Sequence, residues 1–95
     1  MKYHYLKTWP VFYADVECGA KTFEVRKNDR NFQVGDILCL REYEPKTKEY
    51  SGENLLVSVD YTIHLNGLPD IPDGFIGMSI SLLGESESEN TRKEK

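Results

Sequence analysis

Metal-ligand spacings and membrane-length hydrophobic runs are both missing from this 95-residue chain. It has two histidines, His4 and His64, far apart in sequence, and no CxxC, HxH or HExxH pattern. No metal site and no cofactor is therefore expected. No apolar run approaches the roughly eighteen residues of a membrane span, and the first residues lack a signal-peptide core. The expected setting is the cytoplasm, with Cys18 and Cys39 as free thiols rather than a disulfide. An excess of basic charge is also missing. A net charge of −4 argues against a protein that coats nucleic acid indiscriminately. Residues 84–95 carry no apolar side chain and read as a disordered polar tail, because they bury nothing to offset ordering entropy. Residues 1–83 are left as one small domain, without internal repeats.

What charge there is lies unevenly. Residues 21–30 have a local balance of +2, from Lys21, Arg26, Lys27 and Arg30 against Glu24 and Asp29. Residues 42–73 have a balance of −5. This distribution suits a small, focused anionic ligand better than a long nucleic-acid groove.

Periodicity predicts a mainly β chain with one short helix. His4–Lys7 reads as an opening strand. Thr8-Trp9-Pro10 looks like a helix start, with Thr8 as a hydroxyl cap candidate and Pro in the first turn. Residues 9–18 are expected to be helical, stopped by Gly19. Strands follow over 21–27 and 37–43, the latter after a tight turn at Val34-Gly35-Asp36. Residues 44–49 are a polar hairpin connection and 50–53 close its turn. A long strand over 55–65 puts Leu55, Val57, Val59, Tyr61 and Ile63 on one face. Residues 66–74 are punctuated by Pro and Gly and form a loop. The last strand, 75–83, alternates Ile76, Met78, Ile80 and Leu82 with small residues. Five strands in so short a chain suggest a curled or closed sheet, since closure removes exposed edges.

The most informative stretch is Gly19-Ala-Lys-Thr-Phe-Glu-Val-Arg26. In an extended chain Phe23 and Val25 point to one side, Thr22, Glu24 and Arg26 to the other. Ionisable groups on one face of a core strand imply that this face meets solvent, a partner or a cleft. Arg26 offers a planar fork for a phosphate or base edge, and Lys21 a mobile charge. The same residues also fit a surface salt-bridge row of little energetic worth.

The composite pattern His4-x-Leu6-Lys7-x-Trp9-Pro10, Gly19-x-Lys21-Thr22-Phe23-Glu24-x-Arg26-x-Asn28-Asp29-Arg30 and Val34-Gly35-Asp36 resembles the ASCH domains of the PUA-like superfamily. Within them it is similar to a short branch common in bacteria and their phages. The resemblance covers residues 4–83. It implies a small β-barrel with a cleft between barrel and first helix, and an RNA- or nucleotide-binding role.

In that reading Lys21, Glu24 and Arg26 form the cleft floor, with His4, Lys7, Trp9, Asn28 and Arg30 assisting. Each has a plainer alternative. A lone Trp at a helix start more often packs against a small core than stacks on a base. A lone His is usually a hydrogen-bonded structural residue. Asn28, Asp29 and Arg30 either touch phosphates or pin their own loop. Glu24 either pairs with Arg26 and Lys21 or accepts from an exocyclic amine of a base.

Some compact ASCH-like proteins are amidohydrolases that deacetylate N4-acetylcytidine, with a lysine and a threonine of this strand and a later glutamate. Lys21 stands at the lysine position here, but Glu24 occupies the threonine position, and the helical insertion bearing the later glutamate is missing. Lys21 and Glu24 would be the catalytic candidates of such an enzyme, which ranks below a non-catalytic binder. A third class is a protein-interaction adaptor, for which the acidic stretch 42–73 would suit a basic partner.

Overall fold

The computed structural model describes residues 1–86. They form five strands and one helix in the order β1 (Tyr3–Thr8), α1 (Pro10–Glu17), β2 (Phe23–Lys27), β3 (Ile37–Glu44), β4 (Glu49–His64) and β5 (Phe75–Ser86). The strands make a single sheet ordered β1-β3-β4-β5-β2. Only β1 and β3 run parallel; the other neighbours are antiparallel. The fold is mainly β, as the periodicity predicts, and the sheet curls into a half-barrel.

Its two end strands, β1 and β2, approach each other without backbone pairing. Two arginines take the place of a ladder. Arg26 Nη2 donates to the Lys7 carbonyl at 3.0 Å and to Thr8 Oγ1 at 3.4 Å. Arg30 Nη1 donates to the Tyr5 carbonyl at 2.7 Å. Guanidinium donors thus satisfy carbonyls on an edge that would otherwise invite strand addition.

The helix begins one residue later than expected and is not capped by Thr8. Trp9 holds the N-cap position without a side-chain cap bond, and Pro10 opens the first turn. The Thr8 hydroxyl is spoken for by Arg26. Gly19 ends the helix as expected, at φ 85°, with its N–H bonded to the Val16 carbonyl. Tyr13 and Val16 pack into the core beside Leu38, Leu40, Leu55 and Ile76.

Three expectations about the sheet are corrected. The β3–β4 connection is only residues 45–48, and Tyr50 to Glu53 are already strand, with Tyr43 and Tyr50 paired and their rings 4.9 Å apart. An aromatic cross-strand pair outweighs the turn character of Ser51-Gly52. Second, β4 does not keep one face to its end. Its register against β5 shifts between Val59 and Tyr61, so Val59 is buried while Tyr61 and Ile63 are exposed. The bulge re-aims the strand, and the Asp60 carboxylate there accepts hydroxyls from Ser58 and Ser81. Third, the domain does not stop at 83. Residues 84–86 continue β5, with Glu85 opposite Leu55. The rest of the expected tail, 87–95, lies outside the described residues.

Buried polar side chains fix the start of the fold. Asp36 accepts from His4 Nε2 at 2.8 Å, from the Gln33 N–H at 3.0 Å and from the Lys2 N–H at 3.1 Å. His4 also meets the Phe32 ring edge-on at 4.7 Å. Burial alone would raise the Asp36 carboxyl, but the hydrogen bonds from His4, Gln33 and Lys2 outweigh it and hold it below its ordinary 3.8. A carboxyl lowered in the folded state contributes stability that is present above the unfolded value and lost as pH falls through the folded one. Asp36→Asn should therefore cost about 1–3 kcal/mol at neutral pH. In urea unfolding the gap to the wild type should narrow from about pH 5 downward, below pH 4 most steeply. A gap independent of pH would contradict this account.

Candidate functional site

The edge of β2 and the start of α1 enclose a cleft of about 330 Å³, lined by Lys7, Thr8, Trp9, Phe12, Lys21, Phe23, Glu24, Val25 and Arg26. Because the cleft lies on a strand edge, side chains from both faces of β2 border it. Glu24 lies at its base. Its side chain is only 4% exposed, against 17% for Lys21 and 27% for Arg26. The carboxylate is shared, with Oε1 accepting from Lys21 Nζ and Oε2 accepting from Arg26 Nε at 2.8 Å. Lys21 Nζ also donates to the Phe23 carbonyl at 2.7 Å. Two cations around one buried anion leave a net charge of +1 at the base of the cleft. Such a cluster tolerates desolvation because every charge in it has an opposite neighbour and a hydrogen bond.

The alternation expected of β2 is kept, with Glu24 and Arg26 at the cleft. Glu24 is buried, whereas Phe23 and Val25 on the other side of the strand are 54% and 49% exposed. Alternation gives which residues share a face, but not which face turns inward. The ion triad decides it here.

The walls are aromatic. Trp9 and Phe12 stack with centroids 6.2 Å apart and planes 20° apart. Trp9 is 52% exposed, so the packed-core reading of this residue is set aside. Lys21 Nζ stands 5.2 Å from the Phe23 centroid and 6.0 Å from that of Phe12, within cation–π reach of both.

Along its length this geometry coincides with a sequence family. The family described as a domain of unknown function, DUF3850, matches residues 3–80. The chain belongs to the DUF3850 family. The match runs from the first residue of β1 into β5 and takes in every residue that lines the cleft of this DUF3850 domain. No curated protein matches the chain.

Of the site residues expected from sequence, the DUF3850 domain brings Lys7, Trp9, Lys21, Glu24 and Arg26 to the cleft. The Lys7 ammonium lies 4.6 Å from the Tyr43 ring centroid. His4, Asn28 and Arg30 do not line the cleft. His4 is buried against Asp36, Asn28 Oδ1 accepts the Phe32 N–H, and Arg30 bridges to β1. Sequence reasoning missed Thr8, Phe12, Phe23 and Val25. Phe12 was within reach of it, three residues after Trp9 on the same helix face.

Negative charge gathers elsewhere. Burial and then the carboxylates of Glu17, Glu53, Glu42 and Glu85 push the Tyr13 phenol far above its ordinary range. Glu17 is itself raised, chiefly by a hydrogen bond with Glu85. Among the described residues no group of His, Cys, Asp and Glu is arranged to hold a metal, and both cysteines are free thiols.

The triad predicts an asymmetric response to substitution. Glu24→Gln removes the only anion between two cations and should lower unfolding free energy by about 1–3 kcal/mol. Lys21→Met leaves Glu24 paired with Arg26 and should cost less. Equal losses in chemical denaturation would contradict the shared-carboxylate arrangement.

Proposed function

We propose that the cleft binds RNA or a nucleotide without catalysing a reaction, in a PUA-like domain of ASCH type working in the cytoplasm. One observation carries the reading: exposed aromatic rings and two partly exposed cations converge on a cleft of nucleotide size. Aromatic faces attract bases whatever their sequence, and a positive local charge attracts the phosphate that accompanies them. The site is compact, which fits a chain whose net charge is negative. A groove that tracks many phosphates would need basic charge over a longer surface.

A hydrolase reading has one observation in its favour, the direct contact of Lys21 with Glu24. It ranks second. Lys21 Nζ is held between Glu24 and the Phe23 carbonyl, the contacts of a side chain fixed in an ion pair. Glu24 is also the only carboxylate among the described residues lining the cleft, so no second carboxylate stands ready to share acid–base work.

Trp9 is the only tryptophan in the chain, so its fluorescence reports on this cleft alone. Titration with short single-stranded RNAs should give saturable quenching, and Lys21→Met should weaken binding about tenfold. No quenching at millimolar nucleotide would overturn the proposal. Release of acetate from N4-acetylcytidine that disappears in Lys21→Met would reverse the ranking of the two readings.

A further inference from the structure

The distribution of hydrogen-bond donors and acceptors in the cleft is lopsided. Carbonyl and carboxylate oxygens of the cleft already accept hydrogen bonds from the protein's own cations. Glu24 Oε1 and Oε2 accept from Lys21 and Arg26, the Phe23 carbonyl accepts from Lys21, and the Lys7 carbonyl accepts from Arg26. The carboxylate also lies beneath its partners, 4% exposed. The donors are not used up. An ammonium has three hydrogens, and Lys21 directs two bonds to the protein. Arg26 uses Nε and Nη2, which leaves Nη1. A ligand entering this cleft meets free N–H groups from two cations, so one that brings acceptors is favoured.

Common bases differ sharply in this respect. The N7/O6 edge of guanine offers two adjacent acceptors with no donor between them, and cationic side chains read it more often than any other base edge. The same edge of adenine puts its 6-amino group, a donor, where O6 stands. That amine would face Lys21 and Arg26 donor against donor, with Glu24 too deep to relieve it. Uracil alternates acceptor, donor and acceptor. Cytosine carries an adjacent acceptor pair on a single ring and covers less of the stacked Trp9–Phe12 surface.

We infer that the cleft selects guanine, reading its N7/O6 edge with Lys21 and Arg26 while Trp9 and Phe12 cover the ring. The inference rests on the reading of the cleft as a nucleotide site and assigns that site its base. Glu24 is then a positioning residue. It does not touch the base, but holds the two cations at a fixed separation.

The test is a comparison of nucleoside monophosphates on the full chain, by Trp9 fluorescence and by calorimetry. GMP should bind about tenfold more tightly than AMP. IMP retains N7 and O6 but lacks the 2-amino group and should bind like GMP. 7-Deaza-GMP lacks the N7 acceptor and should fall towards AMP. Equal affinity for GMP and AMP would overturn the guanine assignment and leave the nucleotide site standing. So would GMP binding tightly with IMP binding as weakly as AMP, because the 2-amino edge would then be the one read. Failure of all four to bind would overturn the nucleotide reading itself and the inference with it.

Discussion

A single buried carboxylate organises one side of this protein. Glu24 on β2 would be expensive to enclose alone, since an isolated ionised group loses far more hydration than packing returns. Lys21 and Arg26 make its burial possible, and in doing so both are pinned. Arg26 then carries the constraint outward. Its Nε serves Glu24 while Nη2 reaches the end of β1, so one guanidinium sets the charge cluster and ties the two free edges of the sheet. Arg30 repeats the tie one pair of residues earlier along β1. The half-barrel is closed by side chains where a full barrel would use a ladder, and the cleft is the space that incomplete closure leaves.

The same constraint explains why the cleft is both apolar and charged. With Glu24 facing inward, alternation sends Phe23 and Val25 outward, and they form one wall. The start of α1 supplies the other, because Pro10 fixes the helix entry and leaves Trp9 and Phe12 on its solvent side. In the proposed reading, aromatic walls over a satisfied ionic base would hold a planar ring without requiring the site to reorganise, which would keep the entropic cost of binding low. The acidic groups around Tyr13 add a field that disfavours anions elsewhere, so the proposed phosphate-bearing ligand would be directed by repulsion as well as by attraction.

Much of this was legible in the sequence. The mainly β class, a helix with Pro10 in its first turn and a stop at Gly19, and the grouping of Lys21, Glu24 and Arg26 follow from local chemistry. What was hidden was long-range. His4 looks like a free cleft residue until Asp36, thirty-two positions away, is seen to hold it. Arg30 and Asn28 look like phosphate ligands until their carbonyl and amide partners come into place. The inward turn of Glu24 contradicts a rule that is right for most strands, and only the convergence of Lys21 and Arg26 overrides it. The bulge at Asp60 has no period of its own. Its signature is two serines, one on each strand, that satisfy the carboxylate, and half of that pair lies twenty-one residues downstream.

The central claim, that the space between the β2 edge and α1 is where this domain meets its ligand, is tested most directly by mapping amide chemical shifts during titration with a short guanine-containing single-stranded RNA. The account predicts saturable shifts concentrated at Trp9, Phe12, Lys21, Glu24 and Arg26, with Asp36 and the β3–β4 turn unmoved. Shifts centred on the acidic groups about Tyr13 or on the Tyr61–Ile63 face, with the cleft silent, would contradict it.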